Sequence, residues 1–244
     1  MNAKPSPAAP DVVLAAVDLY WIPLGAGGHS VRFNGQVFEA IDAARRRRRR
    51  RDLYHAAIVV QLDGDRYTIE VAPSPDADSA SRGVVGTGAV GSRHLGALRV
   101  FRYEIRRWRN GSIPDLGAAV GGPRRLTTDP EVARRLLGLV AEVPRPVWGR
   151  DELKAGEMWN SNSVGAWLIS SAGLAADGLR PPPRGRAPGW HAGLEVARRD
   201  RTHARRSQSR AAGLIRMAPP GQCESVAARA TRSSSDAPQR QDLA

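Results

Sequence analysis

The sequence predicts an α+β fold, an antiparallel sheet with helices packed on one side. Three observations carry this expectation. Residues 55–72, HAAIVVQL-DG-DRYTIEVA, alternate in character on either side of Asp63-Gly64, as two strands joined by a two-residue turn do. VRF-NG-QVFEA (31–40) repeats the device around Asn34-Gly35. Helical periodicity enters only later, at 129–143 and again from about Ser163, so strands precede helices along the chain.

Taken in order, residues 1–10 are rich in Pro and Ala and predict a disordered N-terminus. A single domain is expected over 11–197, with a flexible Arg-rich loop at 43–52. The apolar run before Asp18 is too short for a signal peptide, and no window approaches the roughly 18 apolar residues of a membrane span. A soluble, cytoplasmic protein is the expectation. Residues 73–94 read as a loop rich in Pro, Asp, Ser and Gly, and 98–108 (LRVFRYEIRRW) as a strand ended by Arg109-Asn110-Gly111. For the first helix, Thr128 with Glu131 fits a capping box, Pro130 suits the first turn, and Val132, Leu136, Val140 and Val143 share a face. For the second, Val164, Trp167, Leu168 and Ser171 form the inner stripe and Gly173 the C-terminal stop. LRPPPRGRAPGW (179–190) reads as an extended strap. From 198 onward a disordered basic tail is expected.

The net charge of +13 invites a nucleic-acid reading, so its location matters. Residues 45–51 are seven consecutive arginines, and 198–244 hold ten Arg against four acids. These two segments account for the whole excess. Like-charge blocks are usually solvated, so a nucleic-acid-associated protein using the Arg run and tail is the weaker alternative. The single cysteine, Cys223, excludes an intrachain disulfide, and the five histidines lack metal-ligand spacing. No cofactor and no metal is expected.

If Asp63-Gly64 is a two-residue turn, Ala57 faces Glu70 and His55 faces Ala72. One face then carries Tyr54, Ala56, Ile58, Val60, Leu62, Tyr67, Ile69 and Val71, the core side. His55 and Glu70 share the other as diagonal neighbours about 7–8 Å apart, and a carboxylate near an imidazole holds its tautomer and raises its basicity. The same spacing fits two ordinary polar residues on a half-exposed sheet.

The blocks LYHAAIVV (53–60), TIEV (68–71) and a late helix opening on Asn and a small polar residue resemble the circularly permuted NlpC/P60 group of papain-like proteins. The chain is also similar to an actinobacterial family with LYH, LGxLRxFRYE, VWGRDE and MWNSNS blocks, here Leu53–His55, Leu95–Glu104, Val147–Glu152 and Met158–Ser163. The resemblance covers roughly residues 12–197. It implies a permuted papain-like architecture, His55 as general base, Glu70 as its orienting partner, and Ser161 where that group usually has cysteine. A serine hydroxyl stays protonated near neutral pH and needs a well-aligned base and an oxyanion hole. Asn160, Asn162 and Ser163 are the candidate donors and binding residues, with Trp159 beside them as a pocket wall.

Three readings of Asn160–Ser163 stay open. The segment is a helix cap, since Ser and Asn are preferred there; a Ser-His-Glu hydrolase or acyltransferase site acting on an amide- or ester-linked group; or a degenerate site that only binds one. The expected partner is a small-molecule, lipid or peptide-like ligand, with nucleic acid less favoured. Gly25-Ala-Gly-Gly-His29 lacks the ending of a phosphate loop, and GVVGTGAVG (83–91) lacks the strand a dinucleotide loop should follow. Arg150-Asp151-Glu152 reads either as a local ion pair or as a ligand-positioning group.

Overall fold

The structure, a computed structural model, describes residues 14–25, 44, 47, 49–73 and 83–217. The expected disordered N-terminus, the Asn34-Gly35 hairpin and the Gly25–His29 loop beyond Gly25 lie outside those residues, as do much of the Arg run and everything past Met217. Among the described residues the fold is mixed α+β. Seven strands form one sheet: β1 (Ala15–Pro23), β2 (Asp52–Leu62), β3 (Asp65–Pro73), β4 (Val84–Ala89), β5 (Arg102–Arg109), β6 (Arg124–Thr127) and the two-residue β7 (Gly185–Arg186). The order is β4-β5-β3-β2-β1-β6, every neighbouring pair is antiparallel, and β7 pairs in parallel with the start of β2.

The β2–β3 hairpin has the expected register, from Leu62↔Asp65 to Ile58↔Ile69, and both Asp63 and Gly64 adopt positive φ, as the turn requires. Tyr54, Ile58, Val60, Leu62 and Ile69 point into the main core, with Ala56, Tyr67 and Val71 packed against it. Central strand β1 has a less obvious sequence signal. Its apolar stretch contains Asp18, only 4% exposed, whose carboxylate accepts two hydrogen bonds from Arg125 on β6. A paired carboxylate can sit in a strand that an isolated one would disrupt. β4 falls inside the expected loop 73–94. Leu98 is extended, Arg99–Phe101 form a 3-10 turn, and the expected strand begins only at Arg102.

Helices α1 (Pro130–Leu139) and α2 (Ser161–Ser171) pack on the core face of the sheet. The α1 cap is Asp129, whose side chain accepts from the Glu131 and Val132 amides; the expected Thr128–Glu131 box does not form, because a carboxylate directly before Pro130 reaches those amides. Helix α2 is buried on nearly every side from Asn162 to Ser170, so the expected stripe broadens to the whole helix. It ends as expected at Gly173, which has positive φ, with Gly173 N–H bonded to Ser170 O and Leu174 N–H to Ile169 O.

Helix α3 (Trp190–Met217) extends through residues assigned to the disordered tail. Ala192, Val196 and Ala197 are buried, and this apolar face lets the helix start on the core before its exposed, Arg-rich continuation. The described residues divide into two units after Arg198, and the packing above belongs to the first. No helix among the described residues is long and apolar enough to cross a membrane.

The opposite face of the sheet carries a smaller cluster, Ile22, Ala57 and Ile113, covered by a 3-10 turn at Pro114–Ala118. On the core side the approach of α3 to α2 is close: a β-carbon on Gly193 would lie 2.1 Å from the Ser163 carbonyl oxygen. Gly193→Ala should therefore force the two helices apart and lower stability by about 1–3 kcal/mol in urea unfolding. Gly178→Ala, where a β-carbon meets nothing within 4 Å, is the control and should change little.

Candidate functional site

The segment Asn160–Ser163 builds the α2 N-terminus. Asn160 is the cap: its side-chain oxygen accepts from the Asn162 and Ser163 amides at 2.9 and 3.3 Å. The Ser163 hydroxyl returns the interaction, accepting from the Asn160 amide at 3.1 Å and lying 2.8 Å from the Gly189 carbonyl, to which it donates. This is a capping box written Asn-x-x-Ser, two residues ahead of the expected helix start.

Asn162 does something different. Strands β2 and β3 pair only as far as Ile58↔Ile69; beyond that β2 continues beside β1, and β3 beside β5. The edge of β2 at Tyr54 and Ala56 is thus left without a strand. The Asn162 carboxamide fills that place, accepting from the Ala56 amide at 2.7 Å and donating to the Tyr54 carbonyl at 3.0 Å. It also donates to the Pro188 carbonyl at 2.9 Å, as does Asn160, so the strap is fastened to the same point. Asn162 is 3% exposed. Three of the four polar side chains are therefore committed to holding helix, sheet and strap together, whereas no hydrogen bond to the Ser161 hydroxyl is present among the described residues.

The expected catalytic residues do not meet. His55 is paired directly with Ile22, and cross-strand partners share a face. Ile22 belongs to the small cluster under the Pro114–Ala118 turn, so His55 points away from the face on which α2 and Ser161 pack. Glu70 is on the His55 side by alternation, but the strands have separated there. Its ladder partner is Arg106, whose guanidinium lies 3.4 Å from the Glu70 carboxylate while also binding buried Glu104. The expected diagonal contact required a ladder that ends three residues too soon. Trp159 is a core residue, 2% exposed, rather than a pocket wall. Burial pushes the His55 imidazole below its usual pKa, partly opposed by the Asp115 carboxylate across the turn. Its environment disfavours the charged form of the imidazole.

The described concavities lie elsewhere, at the β4 side of the sheet. One cleft of about 590 Å³ includes Gly88, Arg93, Arg102, Arg145 and Glu152 in its walls, and an adjoining one of about 520 Å³ shares Arg93 and Glu152 and adds His94, Arg150 and Asp151. Their shared wall is the Val147–Glu152 block. Trp148 pairs with Val90, Gly149 donates to the Trp159 carbonyl, and Trp159 N–H donates to the Arg150 carbonyl. Two of the blocks noted in the sequence, Leu95–Glu104 and Val147–Glu152, thus converge here, and Met158–Ser163 supports them from behind.

The arginines differ in how they are held. Arg93 makes a two-pronged contact with Glu152, whose carboxyl is held below its usual pKa by that partner and by the Val147 amide. Arg102 bonds the Gly96 and Ala97 carbonyls, and Arg150 bonds that of Gly91. Arg145 has no hydrogen bond or ion pair among the described residues. It lies across β4, where a β-carbon on Gly86 would come within 2.8 Å of its guanidinium. Asp151 bonds two amides of its own loop, those of Ala155 and Gly156. Arg150-Asp151-Glu152 is therefore a structural brace that also forms one wall of the cleft. The sequence signal for this site is quiet: residues 83–103 contain no Asp or Glu. Among the described residues, no group of three or more His, Cys, Asp and Glu side chains is arranged to hold a metal ion.

No family model, curated protein or solved structure matches the chain.

Two measurements check this geometry. Asn162→Ala strips the bonds from two β2 backbone groups, the buried Tyr54 carbonyl and the part-buried Ala56 amide, and should cost about 2–4 kcal/mol in urea unfolding, whereas Ser161→Ala should stay within about 0.5 kcal/mol. Because His55 is pushed below 6.5 when folded, the unfolded chain binds its proton more readily. The corresponding stability is present above about pH 6.5 and is lost as pH falls toward the folded value. Denaturation midpoints should therefore drop between pH 7.5 and 5.5, and His55→Gln should flatten that slope.

Proposed function

We propose that the chain is a non-hydrolytic binding protein, with the permuted papain-like layout as its frame and recognition centred on the arginine-lined cleft. In this reading the layout keeps the strand-then-helix order, while the place of the nucleophile has become a structural joint. The separation of His55 from Ser161 by the sheet, and the use of Glu70 by Arg106, support absence of hydrolysis: a serine without an aligned base has no means of losing its proton during attack.

The observation that carries the binding half is Arg145. An arginine lying in a concavity without a carboxylate or carbonyl partner among the described residues, beside Arg93, Arg102 and Arg150, offers a planar fork to an incoming anion. The ligand class that fits is an ester or amide bearing a phosphate or carboxylate group. Glu152 does not compete for Arg145, being engaged by Arg93 and the Val147 amide.

Two experiments test this reading. A fluorophosphonate probe should leave the protein unlabelled; labelling that disappears in both Ser161→Ala and His55→Ala variants would overturn the non-hydrolytic half. Inorganic pyrophosphate at millimolar concentration should raise the unfolding temperature of the wild type, and Arg145→Ala should abolish most of that rise while leaving the unliganded transition unchanged. An equal rise in both proteins would place the anion elsewhere.

A further inference from the structure

The segment that walls the cleft also carries most of the exposed large hydrophobic side chains. Of the six such residues among those described, four lie between 95 and 101: Leu95 at 41% exposure, Leu98 at 57%, Val100 at 72% and Phe101 at 37%. Leu95, Val100 and Phe101 sit on two 3-10 turns, His94–Ala97 and Arg99–Phe101, which rise only about 2 Å per residue, and Leu98 is the single extended residue that joins them. The first turn is anchored by Arg102, through the Gly96 and Ala97 carbonyls, and the second by the Phe101 carbonyl, which accepts from the Val90 amide. The apolar side chains are thus presented on a braced protrusion rather than on a frayed loop.

Clustered exposed apolar groups mark a contact surface, and the surrounding charge says with what. The segment from Gly83 to Tyr103 has no carboxylate, and arginines punctuate it at 93, 99 and 102, with Arg145 and Arg150 from the facing wall. A nucleic acid would satisfy the guanidinium groups but leave Leu98 and Val100 against a hydrated backbone. A second copy of this chain would set the cationic excess of this face against itself, since Glu152 is engaged by Arg93 and Asp151 by the amides of its own loop. The anionic face of a phospholipid bilayer satisfies both features, offering phosphates to the arginines and an acyl boundary to the apolar side chains.

We propose that this protrusion docks the protein on anionic membrane surfaces, with Leu98 and Val100 entering the interface and Arg145 receiving a lipid phosphate in the cleft. The docking rests on the anion-binding reading for its headgroup contact, while the apolar contact is independent of it. Association is peripheral: the protrusion reaches the headgroup and upper acyl region, and salt weakens the attraction.

The test is sedimentation of the full chain with vesicles of phosphatidylcholine alone and of phosphatidylcholine mixed with phosphatidylglycerol. The wild type should pellet with the mixed vesicles and stay in solution with the neutral ones. The double variant Leu98→Ser, Val100→Ser changes no charge and alters only exposed positions; its partition onto mixed vesicles should fall about tenfold or more. Retention of full binding by that variant would assign the interaction to the Arg run or the basic tail and overturn the proposal, as would failure of the wild type to pellet. Light scattering on both proteins adds a further arm: an oligomer present in the wild type and lost in the variant would make the surface a self-association site and overturn membrane docking. If pyrophosphate still raises the unfolding temperature while vesicles do not bind, the docking falls and the cleft reading stands; the converse result removes the cleft and leaves the apolar contact.

Discussion

The separation of β2 from β3 after Ile58 and Ile69 is the constraint on which the rest of this structure depends. Where two strands part, each leaves backbone donors and acceptors that must find partners, because a buried unpaired amide or carbonyl costs about 1–3 kcal/mol. β3 solves this with β5. On β2 the Asn162 carboxamide stands in for the missing strand at Tyr54 and Ala56 and holds the strap through Pro188. Asn162 thus ties α2 to the sheet, and together with Asn160 and Ser163 it holds the strap at Pro188 and Gly189, just before α3 begins.

That solution has a chemical consequence. A helix N-terminus beside a strand bearing histidine is the arrangement from which nucleophilic sites are built, because amides and the helix dipole favour negative charge there. Here the amides at that terminus are taken by Asn160, and the Ser163 hydroxyl lies between the Asn160 amide and the Gly189 carbonyl. Little donor capacity is left for an oxyanion. A cap explains two of the four residues and a sheet joint the third. Ser161 is left as the position with no structural hydrogen bond among the described residues, and the sheet stands between it and His55.

The basic character of the chain also takes on different meanings in different places. Arg106 and Arg125 are structural, compensating the buried carboxylates Glu104 and Asp18. Arg93 and Arg150 brace a loop. Arg145 has no such partner among the described residues, and that difference, invisible to a net charge, is the ground on which ligand recognition is proposed. The separation of duties follows from geometry: an arginine opposite a carboxylate on a neighbouring strand is consumed, and one laid over a glycine at the sheet edge is not.

The local pattern of the sequence was enough for the β2–β3 hairpin, its register and its core face, because alternation and an Asp-Gly turn are properties of neighbouring residues. It was also enough for the C-terminal stop of α2 at Gly173. It could not give β1 or β6, since Asp18 looks like a strand breaker until Arg125, more than a hundred residues away, is placed beside it. Nor could it tell that the hairpin ladder ends before His55 and Glu70 come together, because strand divergence depends on what other strands and helices compete for the same edges. The helical start of the basic tail was hidden for a similar reason: its apolar face matters only with the core present. Composition and turn chemistry act locally and survive in the sequence. The surroundings of Asn162, His55 and Arg145 are set by residues distant along the chain, Tyr54 and Ala56 for the first, Ile22 for the second and Gly86 for the third, and only the tertiary structure brings them together.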